Sequence, residues 1–151
     1  MTKKPKKTPK MPWIEVGCAI IQHQGKLLIA QRRPSPDWGG YWEFPGGKRW
    51  ENESMEDCLV REAAEELGVR ITPKCFLARR PVIDRNRRLM LEFYLCDWSG
   101  GVPVRRECLN WEWVRPTELR RFNFLPADTE IINHLIQMQG YYFSPRVRPG
   151  K

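Results

Sequence analysis

Apolar positions along the chain fall into short runs with two different periods. Ile14 to Ile21 is dense in β-branched and small apolar residues and predicts a strand; Gln24-Gly25 is a turn signal, and Lys26 to Gln31 (KLLIAQ) predicts the returning strand. Residues 34–47 hold three prolines and four glycines, which predicts a loop. The period then changes. Met55, Leu59, Ala63 and Leu67 recur at helical spacing, with Ser54 placed as N-cap, Asp57 three positions on as a capping-box variant, and Gly68 as the stop. Val69-Arg70-Ile71 and Cys75 to Ala78 are strand-like, and Leu89 to Cys96 (LMLEFYLC) predicts a buried strand. Ser99-Gly100-Gly101 turns the chain, Trp111 to Val114 predicts a further short strand, and Asp128 to Gln139 has helical spacing at Ile131, Ile132, Leu135 and Met138. With no internal repeat, one α/β domain is the simplest organisation.

Composition narrows this picture. A length of 151 residues suits one domain, and 41% apolar residues with seven Trp supply a core. No apolar run approaches the roughly 20 residues that span a bilayer, so no membrane association is expected. The N-terminal lysines are not followed by an apolar segment, which argues against a secretory signal. The net charge of +8 invites a nucleic-acid reading, but it is unevenly placed. Residues 1–11 carry five lysines and residues 141–151 carry Arg146, Arg148 and Lys151, with no acid in either, which leaves 18 basic against 18 acidic residues in 12–140. The expected division is a basic disordered tail (1–11), a neutral domain (12–140) and a basic C-terminal tail (141–151), with weak attraction of the tails to polyanions as the alternative to plain solvation. Five cysteines without a CxxC pair give neither a metal finger nor a disulfide framework. Reduced thiols and a cytoplasmic location are the expectation. His23 and His134 stand alone and read as surface or packing residues.

The chemistry concentrates on the first helix. Glu62, Glu65 and Glu66 stand at i, i+3 and i+4, which puts three carboxylates on one arc beside the apolar stripe. Like charges at that spacing destabilise a bare helix, more so where the face is desolvated, and a hard divalent cation with oxygen ligands removes the cost. A solvated acidic face is the plain alternative. Three neighbours favour the metal: Gly46-Gly47 just upstream, where the backbone can approach phosphate oxygens, Glu53 near the helix start, and Arg61 inside it, placed to pair with an acid and fix the loop.

Gly47, Glu53 and the run Arg61-Glu62-Ala63-Ala64-Glu65-Glu66-Leu67-Gly68-Val69 carry a spacing that resembles the Nudix box, GX5EX7REUXEEXGU, at every fixed position, with Ala63 smaller than the bulky aliphatic usual at its place. Seven specified residues at fixed offsets would coincide by accident about once in a million chains of this length. The resemblance implies the Nudix fold, an α/β/α sandwich with a central mixed β-sheet, and hydrolysis of a nucleoside diphosphate linked to another group. It implies that Glu62, Glu65 and Glu66, with Gly46, hold Mg2+ (Mn2+ as a possible substitute), that Glu53 assists, and that Gly47, Arg61 and Gly68 shape the motif. A metal in such a site neutralises phosphate charge and lowers the pKa of a bound water, and a carboxylate takes the proton as water attacks phosphorus.

Residues outside the box, across about 12 to 139, resemble the MutT type, which removes oxidised guanine nucleotides. Arg32-Arg33 ends the second strand where a MutT-like arginine, here taken as Arg33, meets phosphate; Glu43-Phe44-Pro45-Gly46-Gly47-Lys48 matches the EFPGGK segment, with Phe44 bordering the base and Lys48 near the substrate; Glu107 lies where a further acid serves metal or base chemistry. Solvation of the arginines, core packing of Phe44 and a bland loop glutamate are the alternatives. Phe124-Leu125-Pro126-Ala127-Asp128 resembles FPPAN, but places Asp128 where the base-reading residue is Asn. An amide donates and accepts, whereas an ionised carboxylate only accepts, which suits a guanine-like edge and suits adenine only if Asp128 is protonated. Helix N-capping is its alternative duty. The resemblance thus points to hydrolysis of (8-oxo)-dGTP or a related nucleoside triphosphate to the monophosphate and pyrophosphate. ADP-ribose, dinucleoside polyphosphates and pterin triphosphates are alternatives within the family, and a non-catalytic base-binding module is the remote one. Oligomeric state is left open.

Overall fold

The two apolar runs near the N-terminus are continuous rather than alternating because their sheet is covered on both faces. A computed structural model describes residues 11–143; the expected tails, 1–10 and 144–151 of them, lie outside the described residues. Seven strands form one mixed sheet: β1 (Trp13–His23), β2 (Lys26–Gln31), β3 (Trp42–Glu43), β4 (Gly46–Lys48), β5 (Arg70–Asp84), β6 (Arg87–Gly100) and β7 (Asn110–Val114). Helix α1 (Met55–Leu67) follows β4, and α2 (Thr129–Gln137) and α3 (Gln139–Tyr142) come last among the described residues. In β1 and β2, Ala19, Ile21, Leu28 and Ala30 turn towards the layer of α1, packing with Leu59, Ala63 and Leu67. Cys18, Ile20, Leu27 and Ile29 turn the other way, onto Ile131, Ile132 and Leu135 of α2. This is the expected α/β/α sandwich. Each fully buried Leu or Ile contributes roughly 1.5–3 kcal/mol, so both covering helices are anchored by apolar burial.

The sheet topology builds the site. β1 pairs with β6 in parallel along Trp13–Gln22. Its other edge is shared, by β2 at Ile21–His23 and by β4 at Val16–Cys18. β2 likewise pairs with β1 near its start and with β3 at Ala30–Gln31. The β1–β2 hairpin therefore splays, and the segment Trp42–Lys48 is wedged into the gap, fixed further by the Ala19 amide donating to the Pro45 carbonyl at 2.7 Å. These two short strands stand where a loop was expected, since two or three residues rich in Gly and Pro carry no readable alternation.

Two other expectations are extended by the structure. The separate strand-like stretches 69–71 and 75–78 belong, apart from Val69, to one 15-residue strand, β5, which pairs antiparallel with the 14-residue β6 through a turn at Arg85-Asn86. Both turn residues are left-handed, with φ 43° and 64°, the backbone that a two-residue hairpin requires. The second surprise is the C-terminus. Tyr142 and Phe143, assigned to a tail by charge, pack partly buried against the α2 side of the core. Among the described residues no helix is long and apolar enough to cross a membrane.

Candidate active site

Helix α1 is set by its ends. The Ser54 hydroxyl accepts from the Asp57 amide at 3.1 Å, and Gly68 takes the left-handed conformation (φ 68°), its amide reaching the Ala63 and Ala64 carbonyls. The apolar stripe buries Met55, Leu59, Ala63 and Leu67, and this fixes the rotation of the acidic arc. Glu66 is thereby carried inward. It is 7% exposed and accepts from the Gly46 amide at 3.2 Å. Glu62 lies over Gly47 so closely that a Cβ on Gly47 would stand 2.4 Å from its Oε1. The glycine pair thus has two separate reasons: a Cβ on Gly46 would meet the Gly17 carbonyl oxygen at 1.8 Å, and one on Gly47 would displace Glu62.

Arg61 organises the opposite flank. Its guanidinium donates to Glu53 (2.6 and 3.1 Å), to Glu62 (2.9 Å), to Glu65 (3.1 Å) and to the Lys48 carbonyl (2.9 Å), and it lies 3.7 Å over the Trp50 ring. Glu53 also accepts from the Trp50 amide at 2.9 Å. These bonds, those from Arg61 first, pull the Glu53 carboxyl down to about 2. Glu53 is thus a structural carboxylate that ties the loop to the helix.

Glu62 and Glu66 face a cleft of about 300 Å³ together with Arg32, Arg33, Glu43, Gly46 and Glu107. The amide of Glu107 donates to the Glu66 carbonyl at 3.2 Å, which places this acid at the end of α1. Burial, reinforced by Glu43, Glu62 and Glu107, pushes the Glu66 carboxyl up to about 8. Burial raises Glu62 as well, against the pull of Arg61, and raises Glu43 against the pull of Arg32. Three carboxyls, Glu43, Glu62 and Glu66, thus converge where burial disfavours their charge, with the exposed Glu107 beside them and Arg61 engaged at the rim. Among the described residues no three acidic, His or Cys side chains already stand as one ligand set. The donor set itself, all hard oxygens, fits a divalent cation of the Mg2+ type.

A second cavity, about 310 Å³, opens beside the first, and the two share Arg32 and Glu43. Its lining is mostly apolar, with Phe44, Leu91 and Leu125 among its walls and Asp128 buried in it. The Pro126–Asp128 turn is held against β3 by two backbone bonds, the Trp42 amide to the Asn123 carbonyl (2.9 Å) and the Leu125 amide to the Trp42 carbonyl (3.1 Å). Asp128 makes no side-chain cap bond to α2, and its Oδ2 is buried without a partner. Burial, then the nearby Glu43, pushes its carboxyl up to about 8, with Arg80 opposing. Of the two charge states that the sequence reading left open for Asp128, this shift favours the protonated one near neutral pH, in which the carboxyl, like an amide, both donates and accepts. At the junction of the cavities the Arg32 Nε is a second buried polar atom without a partner, while its Nη1 holds Glu43 at 3.0 Å.

The fold brings Glu62, Glu66, Glu107, Gly46 and Arg33 to the acidic cleft, and Phe44 and Asp128 to the apolar cavity. Glu65, 43% exposed at its side chain and bonded to Arg61, is not in the cleft wall, nor is the exposed Lys48, whose carbonyl serves Arg61 instead. Sequence reasoning passed over Glu43, which joins both cavities, and Trp38, which lines the second. Their common signal is position inside the Gly/Pro-rich segment, whose conformation a pattern of polar and apolar residues does not report.

Comparisons agree with this architecture. Residues 11–135 match the family described as NUDIX domain. The chain is 34% identical over 130 residues to a CTP pyrophosphohydrolase of Escherichia coli (strain K12), covering 85% of this chain and 96% of that protein. It is 30% identical over 128 residues to an 8-oxo-dGTP diphosphatase of the same organism, covering 83% and 98%. The solution structure of the E. coli ORF135 protein superposes with a TM-score of 0.76 at 32% identity, covering 93% of this chain and 96% of that one.

Proposed function

The chain belongs to the Nudix family, of the MutT type, and from that premise we propose that it hydrolyses a nucleoside triphosphate to the monophosphate and pyrophosphate, with 8-oxo-dGTP or dGTP as the leading substrate. The observation that carries the reading is the pair of adjoining cavities, one acidic and flanked by Arg32 and Arg33, the other apolar and ending in Asp128. A nucleotide with its phosphates in the first and its base in the second uses both.

Mg2+, with Mn2+ as a substitute, is the cation that the oxygen-only donor set suits; Glu62 and Glu66 would hold it with the Gly46 backbone, and Glu65 would join only on leaving Arg61. Bound there, the ion supplies neutralisation of phosphate charge and a more acidic water. The chain's own groups do the remainder. Arg33, with the unpartnered Nε of Arg32, meets phosphate oxygens. Of the cleft carboxyls, Glu62 is engaged by Arg61, Glu43 by Arg32 and Glu66 by the Gly46 amide, which leaves Glu107 as the candidate to take the proton of the attacking water. Gly47 leaves Glu62 its place.

A protonated Asp128 receives the N7–H of 8-oxoguanine through its carbonyl oxygen and donates to O6, and it can equally donate to N3 of cytosine and accept from the N4 amine. The second pairing, with the relative named as a CTP pyrophosphohydrolase, supports a cytidine nucleotide as the second reading. Steady-state kinetics with Mg2+ on 8-oxo-dGTP, dGTP, dCTP, CTP, ADP-ribose and a dinucleoside tetraphosphate decide between them. A kcat/KM highest for 8-oxo-dGTP supports the leading reading, and equal or better turnover of pyrimidine nucleotides or of the diphosphate-bridged compounds removes it. Hydrolysis in labelled water should place the new oxygen in pyrophosphate, as attack at the β-phosphorus requires; label in the monophosphate would refute that site of attack.

A further inference from the structure

The mouth of the apolar cavity is formed by two segments far apart in sequence, the 34–41 loop and the tip of the β5–β6 hairpin. Trp38 lines the cavity from the loop, with φ 60°, a left-handed backbone that a bulky residue rarely adopts. The surrounding contacts over-determine that conformation. Arg85 donates to the Pro36 carbonyl at 2.9 Å and forms an ion pair with Asp37. Arg32 donates to the Asp37 carbonyl at 3.2 Å. The Gly40 amide reaches the Arg32 carbonyl at 3.0 Å, and a Cβ on Gly39 would meet the Ser35 amide nitrogen at 2.2 Å. Tyr41 stands edge-on to the indole, with ring centroids 5.1 Å apart. The indole is 37% exposed, so it is held at the opening and not absorbed into the core.

We propose that Trp38 is a base-binding residue whose indole forms a wall of this cavity against the nucleobase, and that Arg85 is the positioning residue that holds the loop so that it does. This rests on the nucleotide reading of the same site. A flat aromatic surface half in water at the rim of an apolar slot gains contact when a base enters, whatever the base, because every base has a π-face. Asp128 then reads the edge while Trp38 covers a face. Arg85 lines neither cavity: it bridges two segments 49 residues apart in sequence and so acts through Trp38.

The test uses the full chain with dGTP, dCTP and base-free deoxyribose 5′-triphosphate. Trp38→Ala should raise KM for both nucleotides by roughly five- to twentyfold with kcat within about twofold, and leave the base-free compound unchanged. Trp38→Phe should recover most of the loss. Arg85→Ala should shift KM in the same direction by less, and the double variant should be no worse than Trp38→Ala, since one acts through the other. Unchanged nucleotide KM in Trp38→Ala, or an equal loss on the base-free compound, overturns the proposal while the nucleotide reading stands. If the native chain hydrolyses neither nucleotide, that reading fails, and the wall is tested by binding. The Trp38 emission, taken as native minus Trp38→Phe, should be quenched by dGTP in chelator, and absence of quenching overturns the proposal.

Discussion

Replacing Asp128 by Asn isolates the energetics of the base cavity from the chemistry of the acidic cleft. The Asp128 carboxyl ordinarily titrates at 3.8 and is held up to about 8 in the fold, chiefly by burial. A group whose folded pKa is raised contributes stability that is fully present below its unfolded pKa and is lost as pH rises towards its folded pKa. At pH 7 the folded chain still holds the proton that the unfolded chain has released, and at about 1.4 kcal/mol per pH unit the loss relative to pH 4 approaches 4 kcal/mol. Glu43, also raised and close by, shares part of this, so the expected gain of Asp128→Asn is about 2–4 kcal/mol at pH 8 and near zero at pH 4.5. The second N–H of the amide adds an unpaired donor worth about 1 kcal/mol, but that offset is constant with pH and leaves the slope intact. For a chain of this size the gain corresponds to a Tm higher by roughly 5–15 °C at pH 8. Thermal and urea unfolding of both proteins in chelator, from pH 4.5 to 8.5, measures the difference directly. In the same range the native enzyme should lose nucleotide affinity as Asp128 gives up its proton near pH 8, and Asp128→Asn should hold its KM flat. A stability difference that does not change with pH, or an Asn variant less stable at pH 8, would show that Asp128 is ionised and compensated in the folded protein, and the donor-and-acceptor account of base reading would fall with it.

Glu66→Gln should lower kcat by roughly a hundredfold or more while raising the metal-free Tm, increasingly so from pH 5 to 8, because it removes the carboxyl that burial holds up to about 8; activity near the native level would place the metal elsewhere. The two glycines should separate fold from function. Gly46→Ala, whose Cβ meets the Gly17 backbone, should cost on the order of 3 kcal/mol in urea unfolding. Gly47→Ala, whose Cβ meets only the Glu62 carboxylate, should change stability by about 1 kcal/mol or less and lower kcat at least tenfold. Equal destabilisation by both would mean that Glu62 cannot yield.

What could be read from sequence, and what could not, divides along a physical line. Helix α1, its caps and the placing of its acidic arc beside the buried face were legible because an apolar stripe of four residues determines which side of a helix is buried. β1 and β2 were legible because burial on both faces leaves no polar position to blur the run. β3 and β4 were not, since they exist only by filling the gap in a splayed hairpin. Glu43 and Trp38 owe their places to that gap and to a turn at Arg85-Asn86, contacts that no local pattern encodes. The charge state of Asp128 was out of reach for a different reason, for it depends on how completely three elements exclude water.

Glu65 marks the limit most sharply. Spacing makes Glu62, Glu65 and Glu66 neighbours on one arc, yet the arc straddles a boundary between the cleft and the guanidinium of Arg61, and the fold sends Glu66 to one side, Glu65 to the other and leaves Glu62 at both. The same arginine that ties the loop to the helix therefore competes for the carboxylates that the cleft needs. Removing it would be expected to free two acids for a cation and to loosen Glu53 and the Lys48 carbonyl together. The motif's arginine is thus best understood as setting how much negative charge the cleft holds before a cation arrives, a quantity that residue spacing alone leaves undetermined.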